Sequence, residues 1–216
     1  MPSKNLKDAP DQTREKILTE AEVLFADKGY HAVSVREITR GAGCNLAAVN
    51  YHFGNKHNLY LEVFRSRCLP RAKKVHNDFQ KTVSAFTSPS PADIIQTLAA
   101  VFLGGTMTDA ERFRQSQLVS RELAEPTEAF EIMANGAFKP LFEDVLICLQ
   151  AALPHRIVPE KMVLSVSSIF SMIIHFNFAR PMISLATGHV YDDDFKSKLI
   201  DHITDFALHG LRSETS

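Results

Sequence analysis

Between Thr13 and Lys56 the chain sets three short helical segments in a row, each with its own start and stop chemistry, and this stretch constrains the fold most. Ser34 and Glu37 stand in the S-x-x-E spacing of a capping box, in which a hydroxyl and a carboxylate satisfy two unpaired amides at a helix start. The helix they open is about two turns long and places Val35, Ile38 and Ala42 on one apolar side. Gly41 and Gly43 then let the chain turn without the cost of a Cβ atom. Asn45 suits the cap of a second short helix over 46–53. Its period turns Leu46, Val49 and Phe53 inward and Ala47, Ala48, Asn50, Tyr51 and His52 outward.

Small residues, an amide, a phenol and an imidazole are an unusual outer side for a helix that only needs to be solvated. Two short helices joined by a tight glycine-containing turn form a helix-turn-helix, whose second helix lies in the major groove of DNA. Small residues let its backbone approach the duplex, while amides, hydroxyls and cations bind phosphates or base edges. Any three-helix domain also carries capped short helices, so spacing alone leaves both readings open.

The residues themselves add a resemblance. Arg14, Ile17, Ala21, Leu24-Phe25-Ala26 and Lys28-Gly29-Tyr30, then Val35, Ile38 and Ala42-Gly43, then Tyr51-His52-Phe53, Asn55-Lys56 and Leu59 resemble the N-terminal domain of the TetR family of bacterial transcriptional regulators. The resemblance implies an all-α homodimer whose heads bind double-stranded operator DNA and whose second domain binds a small-molecule effector. It marks Ser34 and Arg36 as DNA-contacting, with Arg36 the base reader, since a guanidinium pairs bidentately with guanine. Ala47, Ala48 and Asn50 fall where the family reads bases, and Tyr51, His52 and Lys56 where it holds phosphates; Asn45 is counted with them. Many members carry Thr-Leu-Tyr where this chain has Ala48-Val49-Asn50, a departure that bears on the operator sequence and leaves the fold untouched.

A formal net charge of -1 by itself argues against a nucleic-acid partner, but the average hides an asymmetry. Met1–Thr82 holds 14 lysines and arginines against 9 acids, and the remainder holds 10 against 16. The basic half is the half with the motif. Three cysteines, Cys44, Cys68 and Cys148, are too scattered for a disulfide framework or a CxxC metal pattern, so a reducing cytoplasm is the expected home. The most apolar stretch, 162–186, is broken by serines, His175, Asn177, Arg180 and Pro181 and does not read as a membrane span.

The polar arm before Asp11 offers Lys4 and Lys7 for weak phosphate contact, and Asp11 is expected to cap the first helix. A longer helix begins at Lys56 and runs to about Ser84, with a bend expected at Pro70. FTSPSP, 86–91, is the clearest linker. The expected organisation is therefore a DNA-binding domain over 1–56, a connecting helix over 57–84 and a helical ligand-binding and dimerisation domain over 85–216. Within the last, helix signals follow at Ser90-Pro91, at Thr108 with Glu111, at Pro126, at Pro159 and at Asp192-Asp193-Asp194, with Gly210 closing the final helix. Ser120 to Phe130, S-R-E-L-A-E-P-T-E-A-F, followed by Pro140-Leu141, looks like the C-terminal domain of the CecR-like branch, whose members control transport and drug-sensitivity genes.

The last two helices are apolar over too wide an arc for one subunit to cover, which predicts a four-helix dimer interface with Phe170, Ile174, Phe178, Ile203 and Phe206 as members. Phe113, Gln117, Arg121, Met172, His175 and Phe176 are expected to line a mostly apolar effector pocket. Nine histidines and many acids could supply an enzyme site, yet no HExxH, GxSxG, P-loop or paired metal spacing is present, so no catalysis, cofactor or metal is expected. The expected function is a ligand-responsive repressor; an activator, or an α-helical small-molecule-binding protein without DNA function, are the alternatives.

Overall fold

The computed structural model describes residues 8–105, 107–154 and 156–212, and every regular element among them is helical. In order these are α1 (Asp8–Lys28), α2 (Val35–Gly41), α3 (Leu46–Phe53), α4 (Lys56–Val63), a π-turn (Phe64–Cys68), α5 (Leu69–Val83), α6 (Pro91–Leu103) and α7 (Asp109–Ala124). Then come α8 (Glu128–Met133), a second π-turn (Ala134–Phe138), α9 (Lys139–Ala152), α10 (Pro159–Phe178), α11 (Arg180–Thr187) and α12 (Asp193–Arg212). The arm with Lys4 and Lys7 lies outside the described residues.

The chain packs as two compact units. One, the head, holds the chain up to Arg71 together with Asp109–Ala134; the other holds Ala72–Thr108 and the chain from Asn135 onward. This division differs from the one expected at the FTSPSP linker. Leu118 of α7 and Ala129 of α8 are buried in the same core as Ile17, Phe25, Ile38, Val49, Leu59 and Phe64, so α7 and α8 complete the head's hydrophobic cluster. Burying a side chain such as Phe25 or Phe64 stabilises by roughly 1.5–3 kcal/mol, and a three-helix head alone has little interior to offer.

Local chemistry explains most starts and stops. Ser34 Oγ accepts from Glu37 N at 3.2 Å, Asn45 Oδ1 from Ala48 N at 3.0 Å, and Asn55 Oδ1 from Asn58 N at 2.8 Å, so three polar caps open α2, α3 and α4. Ser90 and Asp93 form a reciprocal capping box with Pro91 at the first turn of α6. Asp192 Oδ1 accepts from Phe195 N at 2.9 Å and opens α12. Three expectations are corrected. Asp11 lies inside α1, which starts at Asp8, because Pro10 sits in the first turn, where a missing N–H has no intrahelical partner to lose. α8 opens at Glu128 and not at Pro126, with Thr127 as its cap, the hydroxyl accepting from Ala129 N. α12 runs through Gly210 to Arg212.

The expected bend at Pro70 takes the form of a π-turn. Leu69 N–H bonds to the Phe64 carbonyl, five residues back. Proline has no N–H for the carbonyl four residues before it, and the wider turn spreads that loss along the helix. Pro140 follows the second π-turn in the same way.

In the second unit α12 packs against α6 and α10, and its inward stripe is Phe195, Leu199, Ile203, Ala207 and Leu211, all buried. α10 is long and apolar enough by length and composition to cross a membrane, but Met162, Val166, Ile169, Phe170 and Ile173 lie in the core of this unit. The rings of Phe102, Phe138 and Phe142 stand 5.9, 5.5 and 5.6 Å from that of Phe170.

Candidate nucleic-acid interface

The helix-turn-helix is assembled from α2, α3 and the turn between them. Cys44 N–H bonds to the Thr39 carbonyl at 3.0 Å and Gly43 N–H to the Arg40 carbonyl at 3.2 Å, while Gly43 adopts φ +64°, where a side chain is disfavoured. Ile38, Val49 and Phe53 are buried, which fixes the rotation of both helices on the head. Ser34, Arg36, Asn45, Ala47, Asn50 and Tyr51 are thereby left exposed, and Ala48, His52 and Lys56 half-buried. The helix-turn-helix thus turns all the sequence-predicted DNA residues toward or near solvent. Tyr51 is 81% exposed, and its ring stands edge-on to His52 at 4.9 Å.

Two details differ from expectation. Leu46 is 46% exposed, because the first residue of α3 projects past the core that Val49 and Phe53 enter. The Glu37 carboxylate turns to Lys28, 2.5 Å away, so the carboxylate arm of the expected capping box serves as an ion-pair arm to α1. That pair lowers the Glu37 pKa from its ordinary value and raises that of Lys28.

Behind this surface lies an aromatic and polar frame that the sequence reading missed. The Lys56 ammonium stands 4.3 Å from the centre of the Tyr30 ring, and partial burial lowers its pKa from the ordinary lysine value. Tyr30 packs 5.0 Å from Tyr60, and Tyr60 donates its hydroxyl to Glu122 of α7 at 2.6 Å. Arg121 Nη2 donates to the carbonyls of Ala26 and Asp27, at 3.3 and 3.0 Å, and so caps the C-terminal end of α1. Gly29 ends α1 at φ +79°, and a Cβ there would stand 2.9 Å from Arg121 Nη1. A cleft of 410 Å³ lies in this part of the head, lined in part by Tyr30, His31, His57, Tyr60 and Arg121. Lys28-Gly29-Tyr30, Asn55-Lys56 and the run from Ser120 to Phe130 carried sequence signals, but none of them gave the pairing of Glu122 with Tyr60 or of Arg121 with the end of α1.

The expected pocket residues fall in both units, and the expected interface residues differ in burial. Phe113, Gln117 and Arg121 belong to the head unit, where Phe113 is exposed and Arg121 is engaged by α1; Met172, His175 and Phe176 belong to the second unit, with His175 exposed. Phe170 and Ile203 are buried in the core of their own unit and so are not surface members of a dimer face. Ile174 and Phe178 are half-buried, and Phe206 is 64% exposed. The inward stripe of α12 advances by four residues, from Ile203 to Ala207, which leaves Phe206 outside.

This head is that of a helix-turn-helix DNA-binding protein, with a capped second helix held outward by the apolar side of the first. Residues 17–63 match the family model described as bacterial regulatory proteins, tetR family, and residues 91–211, more than half of the chain, match the HTH-type transcriptional dual regulator CecR, C-terminal domain. The chain belongs to the CecR family of tetR-type regulators and is a DNA-binding transcriptional regulator. The HTH-type transcriptional dual regulator CecR of Shigella flexneri is 26% identical over 210 residues, 93% of each chain. The transcriptional repressor AcnR of Corynebacterium glutamicum is 35% identical over 68 residues, 32% of this chain and 36% of that one. Among solved structures, HlyIIR, a hemolysin II transcriptional regulator, superposes in one variant with a TM-score of 0.63 at 25% identity, covering 91% of this chain and 99% of that chain. A TetR-like regulator from Rhodococcus sp. RHA1 shares the fold, with a TM-score of 0.68 at 15% identity over 93% of this chain and 96% of that one.

Proposed function

We propose that the protein is a homodimeric repressor that occupies an operator through α2 and α3 of two heads and releases it when a small, mostly apolar molecule binds. The observation that carries the DNA reading is the outer surface of α3: Asn50 and Tyr51 exposed beside Ala47, on a helix whose inner side is buried. Arg36 and Asn50 read base edges, and Tyr51, His52 and Lys56 hold phosphates. Ile174, Phe178 and Phe206 are proposed for the subunit face. Met172, His175 and Phe176 are the proposed effector contacts in the second unit; Met172 and Phe176 pack on the edge of its core while staying partly open. If effector and operator favour different dimer geometries, their coupling is typically about 1–3 kcal/mol, roughly 5- to 150-fold in operator affinity.

A second reading, activation at some promoters, is favoured by the description of the Shigella flexneri relative as a dual regulator. The test is an anisotropy titration against the DNA upstream of its own gene, followed by reporter assays with and without the protein. Salt-sensitive binding with reporter output rising when the gene is deleted supports repression. Output falling on deletion supports activation, and no binding to any neighbouring DNA removes the DNA reading.

A further inference from the structure

The four acceptor contacts of one buried carboxylate reach, through two tyrosines packed at a tilt, the ammonium expected to meet DNA. Glu122 is 3% exposed. Its Oε1 accepts from the Tyr60 hydroxyl at 2.6 Å, and its Oε2 accepts from Thr127 N at 2.9 Å, Thr127 Oγ1 at 2.8 Å and Phe130 N at 3.1 Å. The carboxylate thus joins α7, the first turn of α8 and the α4 side chain Tyr60. Tyr60 is itself buried, edge-on to Phe25 at 5.1 Å and to Phe64 at 5.1 Å, so its ring has one orientation available. Tyr30 leans on that ring at 5.0 Å and offers its own ring to Lys56 Nζ at 4.3 Å.

We infer that Glu122 is a positioning residue for DNA binding: through Tyr60 and Tyr30 it holds the Lys56 ammonium where a backbone phosphate meets it. The inference rests on the reading of Lys56 as a phosphate contact. Held over the Tyr30 ring, the Lys56 ammonium stays within reach of the phosphate; without that support it points elsewhere, and the contact is lost together with the counterion it releases. Ionised Glu122 is a pure acceptor, so it directs the Tyr60 hydroxyl as donor; burial first, and the Glu122 bond second, keep that phenol protonated well above the usual tyrosine range. The neutral amide of glutamine can still serve both sides, its oxygen accepting from α8 and its N–H₂ donating to the Tyr60 oxygen.

The experiment measures the slope of log affinity against log salt for full-length protein and an operator duplex, with thermal melts to confirm folding. Lys56→Ala is expected to lower the slope by about 0.9 per head, the value for one lost phosphate contact. Tyr60→Phe, which removes one oxygen atom, and Glu122→Ala are expected to reproduce that drop, while Glu122→Gln keeps the wild-type slope. A merely structural loosening lowers affinity equally at every salt concentration and leaves the slope alone. Wild-type slopes in folded Tyr60→Phe and Glu122→Ala, beside a reduced slope in Lys56→Ala, overturn the positioning role and spare the phosphate reading. A wild-type slope in Lys56→Ala overturns the phosphate reading and the positioning role with it. Should Glu122→Ala not fold, Tyr60→Phe decides alone.

Discussion

Arg71 grips the buried carboxylate of Glu22 with both terminal nitrogens, Nη1 at 2.5 Å and Nη2 at 3.4 Å, and Arg114 adds Nε at 3.4 Å. One acid of α1 thereby holds the first turn of α5 and α7, and Glu22, Arg71 and Arg114 all belong to the head unit. With so little water around Glu22, loss of its main partner leaves a charge that nothing else satisfies as well. Arg71→Met is expected to destabilise the head by about 3–5 kcal/mol, read as a lower urea midpoint. Arg67→Met, whose Nε is 4.0 Å from Glu22 and whose better bond goes to the exposed Glu15, is expected to cost no more than about 1 kcal/mol.

Cys68 ends the first π-turn and is fully buried, and burial pushes its thiol up to about 12, from an ordinary value near 9. A raised pKa in the folded state means that the folded chain keeps a proton the unfolded chain gives up. The associated stability is complete below pH 9 and is lost as pH rises from 9 toward 12, at a limiting rate of about 1.4 kcal/mol per pH unit. Urea titrations at several alkaline pH values should show this decline in wild type and a shallower one in Cys68→Ala. Mass spectrometry after iodoacetamide treatment at pH 8 should find Cys68 unmodified until the chain is unfolded.

Arg36 and Tyr51 are exposed, so their removal should act on DNA and spare the fold. Arg36→Ala is expected to weaken operator binding by about 1–3 kcal/mol and to relax preference at one base pair. Tyr51→Ala should weaken binding on every sequence alike. Both proteins should melt within about 0.5 kcal/mol of wild type. A loss of thermal stability larger than the loss of affinity would place these side chains in the fold instead.

Phe170 and Phe206 were expected on the same surface, and the structure separates them. Phe170→Ala empties a site among Phe102, Phe138 and Phe142 and is expected to cost about 3–5 kcal/mol in urea unfolding. Phe206→Ala removes an exposed ring and should leave the stability of the single chain nearly unchanged, while sedimentation equilibrium at micromolar protein shows a weaker dimer. An unchanged dimerisation constant would move the proposed subunit face away from α12.

What the sequence determined by itself is the chemistry that acts over three or four residues. Ser34, Asn45, Ser90 with Asp93, and Asp192 open helices because each side chain reaches an amide of its own next turn, and the stripe Val49–Phe53 sets which side of α3 faces the head. That much made the capped helices and the outward residues of α3 legible without coordinates, while the helix-turn-helix reading itself also needed the family resemblance over Arg14 to Leu59. Only the tertiary structure decided where α7 and α8 belong, since Leu118 and Ala129 are apolar enough for either core and the FTSPSP linker lies upstream of both. It alone chose the partners of Glu122, Arg121 and Glu22, which are 62, 95 and 49 residues away. It also chose between the two apolar sides of α10 and α12, burying Phe170 and Ile203 and exposing Phe206. A helical period states which residues share a side; which side is covered depends on what else packs there, and a polar side chain's partner depends on which chain segment is brought within 3 Å of it.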